Sequence, residues 1–307
     1  MHAVLDAALP IFALILVGYL VGRRGILGPS VTDALNRFVV WLALPALMFK
    51  ATAQIGWDDI AHWGFLAAFT IGIAVTMTLG GLGRKRLADF AVEGLDAGYA
   101  NVGYMGIPLA MLAFGDQGLA PAIVASVLTA CVQFAVGIVL IELDLQREQG
   151  LGATVLKVGR TLATNPLLVA PVAGLVFALF HVPLPAPALN FIALLGGAAS
   201  PCALVTIGLF LAQERGVSAP RTVGKLVLLK LVVQPAITGV LAFWVFDMPA
   251  VWGRAAVLLA ALPTGTGPFM LAKLYDRAPG ITARAIFVST IASVVTVSAL
   301  VAWFGRP

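Results

Sequence analysis

The chain has 307 residues, of which 61% are hydrophobic and 11% charged, and its mean hydropathy is +1.01. That balance excludes a water-soluble domain, which needs charged surface over a fold of this size, and requires an integral membrane protein that turns apolar side chains toward lipid. The net charge of +5 implies no nucleic-acid partner; in a membrane protein the informative quantity is where along the chain Lys and Arg fall.

A spanning helix rises 1.5 Å per residue and needs roughly 20 apolar residues to cross about 30 Å of hydrocarbon. On that ruler the sequence predicts an all-α chain of ten transmembrane helices, at about 3–22, 33–53, 60–82, 92–114, 120–142, 165–182, 189–212, 224–246, 251–274 and 281–304. The first, within "MHAVLDAALPIFALILVGYLVGRRG", has Asp6 ahead of its apolar run and Arg23 and Arg24 behind it. That order is the reverse of a signal peptide and predicts a retained span. The second, "LNRFVVWLALPALMF", carries Pro45, and the third, "GFLAAFTIGIAVTMTLGG", has no charge and only Thr70, Thr76 and Thr78 as hydroxyls. The fourth contains "YANVGYMGIPLAMLAFG", an apolar run holding Asn101, Gly103, Gly106 and Pro108, and the fifth carries Gln133.

The polar connection "LDLQREQGLGATVLKVGRTLATN" then predicts a cytoplasmic central loop over residues 144–164, between halves at 1–143 and 165–307. In the second half, "LNFIALLGGAASPCALVTIG" puts Ser200 and Pro201 where the second span has Pro45. The eighth span holds Lys230 and Gln234. The ninth reads "LPTGTGPFMLAKLYD" and sets Pro268 against Pro108; the tenth bears a stripe of Ser289, Ser293 and Thr296 that suits helix-to-helix hydrogen bonds. Lys230 must be paired, snorkelling or facing water, and its place one turn in from the cytoplasmic end favours snorkelling. Cys131 and Cys202 lie in apolar runs without metal spacing, so they predict no metal site and report no redox compartment.

Ten spans put both termini on one side, and the charges divide accordingly. Arg23, Arg24, Arg37, Arg84, Lys85, Arg86, Arg147, Lys157, Arg160, Arg215, Arg221, Lys225, Lys273, Arg277 and Arg284 fall on the side opposite the termini, three to a loop, against Lys50, Arg254 and Arg306 on the other. The positive-inside bias places those loops in the cytoplasm of an inner-membrane protein and both termini outside. Five spans per half is odd, so two halves of one fold must insert inverted to one another, the arrangement of many secondary transporters.

Proline removes an amide donor and clashes with the preceding turn, so the fourth and ninth spans are expected to break at Pro108 and Pro268. Hydrocarbon cannot satisfy backbone groups freed at mid-depth, and two such breaks in inverted halves point to a transport site. For a lone span proline such as Pro45, Pro171, Pro201 or Pro235, packing is the simpler reading. Half-helix N-termini at Pro108 and Pro268, the Asn101 amide and backbone amides at Gly106 and Gly267 favour an anion, with a carboxylate as the natural ligand. Gly103, Tyr104, Thr264, Gly265 and Thr266 complete the expected lining. Asp96 is either a partner for a coupling proton or cation, or a solvated residue at a helix end. Gln133 and Gln234 are either ligand contacts or interhelical hydrogen-bonders.

"NVGYMGIPLA", Asn101 to Ala110, resembles the fourth-helix signature of the auxin efflux carrier family, and "LPTGTGPFMLAKLY" is similar to its ninth-helix counterpart. The resemblance covers the whole ten-span pattern. It implies two inverted five-helix repeats with crossed, broken helices 4 and 9, and a scaffold from spans 1, 2, 6 and 7 that includes Pro45, Ser200 and Pro201. The transport domain would come from spans 3–5 and 8–10, with an elevator-like motion and a homodimer. Asn101 matches the family's carboxylate-approaching Asn, Pro108 and Pro268 its crossover prolines, and Gln133 a substrate-contacting Gln. The charged residues that plant members carry in the third helix are missing, as is their long central domain, so a small organic anion is a better expectation than auxin.

The function expected is therefore a permease for a small carboxylate, with no cofactor beyond a coupling proton or sodium ion. The alternative is a sodium-coupled organic-anion symporter of the bile-acid-transporter architecture. An intramembrane enzyme would need paired Asp, a Ser with a His, or a His cluster within the spans, and the spans hold none. A sensor would carry an output domain, which this sequence does not contain.

Overall fold

The computed structural model describes residues 2–54, 62–146, 160, 163–213 and 219–304. Most of the predicted central loop, and with it Arg147 and Lys157, lies outside the described residues, as do Arg215 and Arg306. Among the described residues the chain is helical, without strands. Among the described residues six helical stretches are long and apolar enough to cross a membrane, and Ala13–Arg23, Val169–Leu179 and Ala250–Ala260 are shorter apolar helices.

In chain order the helices are α1 (His2–Arg23), α2 (Pro29–Ala53), α3 (Trp63–Gly81), α4 (Leu87–Gly98), α5 (Ile107–Phe114, entered through a π turn at Val102–Gly106) and α6 (residues 119–145). They continue as α7 (Pro166–Leu179), α8 (Ala186–Gln213), α9 (Pro220–Val245), α10 (Ala250–Ala260), α11 (Gly267–Leu274) and α12 (Pro279–Phe304). Prolines open α2, α7, α9 and α12, where a missing N–H costs nothing. At α7 the Asn165 side chain also accepts from the Leu167 amide at 3.0 Å, an N-cap.

Inside the helices proline acts differently from the expectation. Pro45, Pro108 and Pro235 each stand two residues after a π turn, at Val39–Ala43, Val102–Gly106 and Leu229–Val233. The wider turn moves the carbonyl that would meet the ring, and the helix continues through the proline. Pro108 is therefore the second residue of α5 and not the point of a break. Pro201 lies just beyond a helix joint at Ala198 in α8.

Two sets of helices pack mainly among themselves. Helix α1 lies along the second half of α8, and α2 packs on α7 and the first half of α8. Helices α3, α4 and α6 form a second set with α9, α10 and α12. The α1–α8 contact is backbone-close: a side chain at Gly208 would strike the Ile15 carbonyl, so only glycine lets these helices meet. Between the sets, Lys273 Nζ of α11 pairs with Asp33 of α2 at 3.1 Å and lies 5.2 Å from the Phe210 ring of α8, while Phe269 meets Phe210 edge-on at 5.3 Å.

Candidate functional site

Helix α4 stops at Gly98 and α10 at Ala260, and the chain is non-helical over residues 99–101 and 261–266 before helix resumes. The two breaks lie side by side. Ala100 and Thr264 form an isolated antiparallel bridge, in which the Asn101 amide donates to the Pro263 carbonyl and the Gly265 amide to the Tyr99 carbonyl, both at 2.9 Å. The Thr264 hydroxyl donates to the Asp96 carbonyl at 2.8 Å, and its amide donates to Ser289 Oγ at 3.1 Å. Backbone groups that helix would otherwise satisfy thus pair across the two breaks.

Helix α9 serves the carbonyl ends of both half-helices. Gln234 Nε2 donates to the Gly98 carbonyl at 3.1 Å, and one turn earlier Lys230 Nζ donates to the Ala260 carbonyl at 2.6 Å. Lys230 is 0% exposed, which corrects the expectation that it snorkels. The negative end of α10 supplies what the interface would have supplied. No carboxylate lies within ion-pair distance of it among the described residues.

On the amide side, the first-turn N–H groups at Gly103 and Tyr104, and at Gly267 and Phe269, have no carbonyl within their own helices. Asn101 is the N-cap residue of the first turn and makes no side-chain cap hydrogen bond. The Gly106 amide is not free as expected: it donates to the Asn101 carbonyl at 3.2 Å, because helix begins before Pro108.

A cavity of about 100 Å³ opens against both breaks. Asn101, Val102 and Gly103 line it from the first break, and Gly265, Thr266 and Gly267 from the second. Its other walls are Leu44, Leu47, Met48 and Ala51 of α2 and Ser126, Thr129, Ala130 and Cys131 of α6. Tyr99 covers the second break, and a Cβ at Gly267 would come within 2.7 Å of its hydroxyl oxygen. The Ser126 hydroxyl oxygen is buried without a hydrogen-bond partner. No Lys, Arg, His, Asp or Glu is among the described lining residues.

The remaining expected residues stand off the cavity. Thr264 and Pro268 are buried in the second break and the first turn of α11. Pro45 is buried in α2 between the lining residues Leu44 and Leu47, and Ser200 and Pro201 are half-buried in α8, away from the cavity wall. The side chains of Tyr104 and Pro108 lie outside the described residues. Gln133, 3% exposed, is beside Gly98, and neither of its amide atoms has a partner. Asp96 is fully buried, its Oδ2 accepting from the Thr282 hydroxyl at 2.9 Å while Oδ1 has no partner, which excludes the solvated reading. The α2 wall was missed, since its leucines read like any lipid-facing run. Ser126, Thr129 and Gln133, at i, i+3 and i+7, are a polar face of the fifth span that the spacing offered.

Residues 3–301 match the family described as membrane transport protein. A Rhizobium meliloti protein described as a "putative malonate transporter" is 30% identical over 98% of this chain and 95% of its own length. An uncharacterized transporter of Methanothermobacter thermautotrophicus is 27% identical, covering 95% of each chain. Auxin efflux carrier component 8 of Arabidopsis thaliana is 23% identical over 93% of each.

Proposed function

This chain belongs to the family of membrane transport proteins that includes the auxin efflux carriers, and from that membership we propose that it carries a small organic anion, a carboxylate, across the inner membrane. It is a permease and not an enzyme. The observation that carries the choice of ligand is the cavity shared by the two breaks: neutral donors and helix N-termini converge there, and amide-rich helix starts favour an anion. Asn101, Thr266 and the amides at Gly103 and Gly267 are assigned to the carboxylate. Asp96, buried with an unpartnered oxygen, is assigned to a coupling proton.

The same proposal takes ten crossings in two inverted repeats, with both termini outside. The charge distribution supports it, as does the matching place of the two breaks. Helices α1, α2, α7 and α8 act as scaffold, and α3–α6 with α9–α12 move as an elevator. Support for the division comes from the two packing sets, and the homodimer rests on the family resemblance alone.

The test is uptake of labelled three- and four-carbon carboxylates into proteoliposomes, with and without sodium. Saturable uptake independent of sodium is expected, lost in Asn101→Ala at unchanged insertion. Strict sodium dependence would favour a cation-coupled symporter, and absence of uptake for every carboxylate would remove the organic-anion reading.

A further inference from the structure

We infer that the cavity takes its ligand as a singly charged carboxylate: a monocarboxylate, or a dicarboxylic acid with one carboxyl protonated. This rests on the organic-anion reading of the same cavity. The donors that suit an ionised carboxylate lie along the two breaks, at Asn101, Thr266 and the first-turn amides of Gly103 and Gly267. Together they make one anion site. The rest of the wall is mostly apolar, with Leu44, Leu47, Met48 and Ala51 on one side, and its hydroxyls, of Tyr99, Ser126 and Thr129, are neutral groups that offer no counter-charge.

A second carboxylate on the ligand would leave water for that apolar wall unpaired. Burying an ionised carboxylate without a partner is so costly that the group takes up a proton instead. Of the wall's hydroxyls, Thr129 donates to the Ala125 carbonyl at 2.8 Å, while the buried Ser126 hydroxyl oxygen has no partner and suits a neutral carboxyl or hydroxyl. A hydroxyl accepts from and donates to a protonated carboxyl without compensating charge.

Ionisable groups elsewhere do not supply the missing cation. Lys230 on α9 is held by the Ala260 carbonyl and does not line the cavity. Asp96 on α4 is held by Thr282 of α12 and also stays off the wall. The titratable groups on the wall, the Tyr99 phenol and the Cys131 thiol, become anions on losing a proton and so supply no cation. The volume of about 100 Å³ suits a ligand of a few carbons.

The test is equilibrium binding to the purified full-length protein of two probes of like shape, malonate and the monomethyl ester of malonic acid, which keeps a single carboxylate. Both are measured at pH values spanning the second dissociation of malonic acid and above its first. The apparent affinity for malonate is expected to fall about tenfold per pH unit above the second dissociation, as its monoanion fraction does, while that for the ester changes less than about twofold. The ester corrects for any titration of Asp96 or Lys230. Malonate binding that holds its strength as the dianion forms, or that exceeds the ester's at high pH, overturns the single-charge proposal and leaves the anion site intact. Binding of neither probe overturns both.

Discussion

Lys230 and Gln234 stand one turn apart on α9, and each donates to the last carbonyl of a half-helix, Ala260 and Gly98. A buried acceptor left unpaired costs about 1–3 kcal/mol. Lys230→Met, close in volume but without the donor, is therefore expected to lower the thermal stability of the detergent-purified protein by an amount of that order. A more stable variant would mean that burying the amine costs more than the Ala260 carbonyl returns. At this scale the breaks were legible: Asn101, Gly265, Thr266 and Gly267 are anomalies in an apolar run, and anomalies attract notice. Lys230 was misplaced because its partner is a backbone carbonyl on a different helix, which no local pattern marks. Leu47 and Met48 were invisible for the opposite reason, since an apolar residue reads the same whether it faces lipid or a cavity.

Among elements, the hydropathy ruler located the helices well, but proline misled it about where the fourth span breaks. A π turn before Pro108 absorbs the ring, and the non-helical segment is residues 99–101, about two turns earlier. What sets that segment is its pairing with the second break, a long-range contact that spacing within one helix does not reveal. The pairing leaves no room between Tyr99 and Gly267, where a Cβ would lie 2.7 Å from the hydroxyl oxygen. Gly267→Val is expected to push the Tyr99 ring aside and weaken carboxylate binding by about 5- to 150-fold, given about 1–3 kcal/mol for overpacking. Adding Tyr99→Ala returns the space and is expected to recover part of the loss. Unchanged binding in the single variant would separate the breaks from the ligand.

For the whole molecule, a helical membrane protein followed from composition, and once ten spans were counted the fifteen charges assigned the loops to two sides. How the helices group was not legible, because grouping depends on which faces meet, as where Gly208 admits the backbone of α1. The two packing sets touch through Lys273 with Asp33 and through Phe269 with Phe210. An exposed ion pair of this kind contributes about 0–1 kcal/mol, little enough to break in each transport cycle. If the anion crosses with one set sliding past the other, locking this contact must stop it. The direct measurement is carboxylate uptake by protein carrying Asp33→Cys and Lys273→Cys, with Cys131→Ala and Cys202→Ala, before and after joining the two thiols with a short reducible cross-linker. Uptake is expected to cease on cross-linking and return on reduction, while either single cysteine stays active; full uptake by the cross-linked protein would contradict movement of the breaks relative to α2.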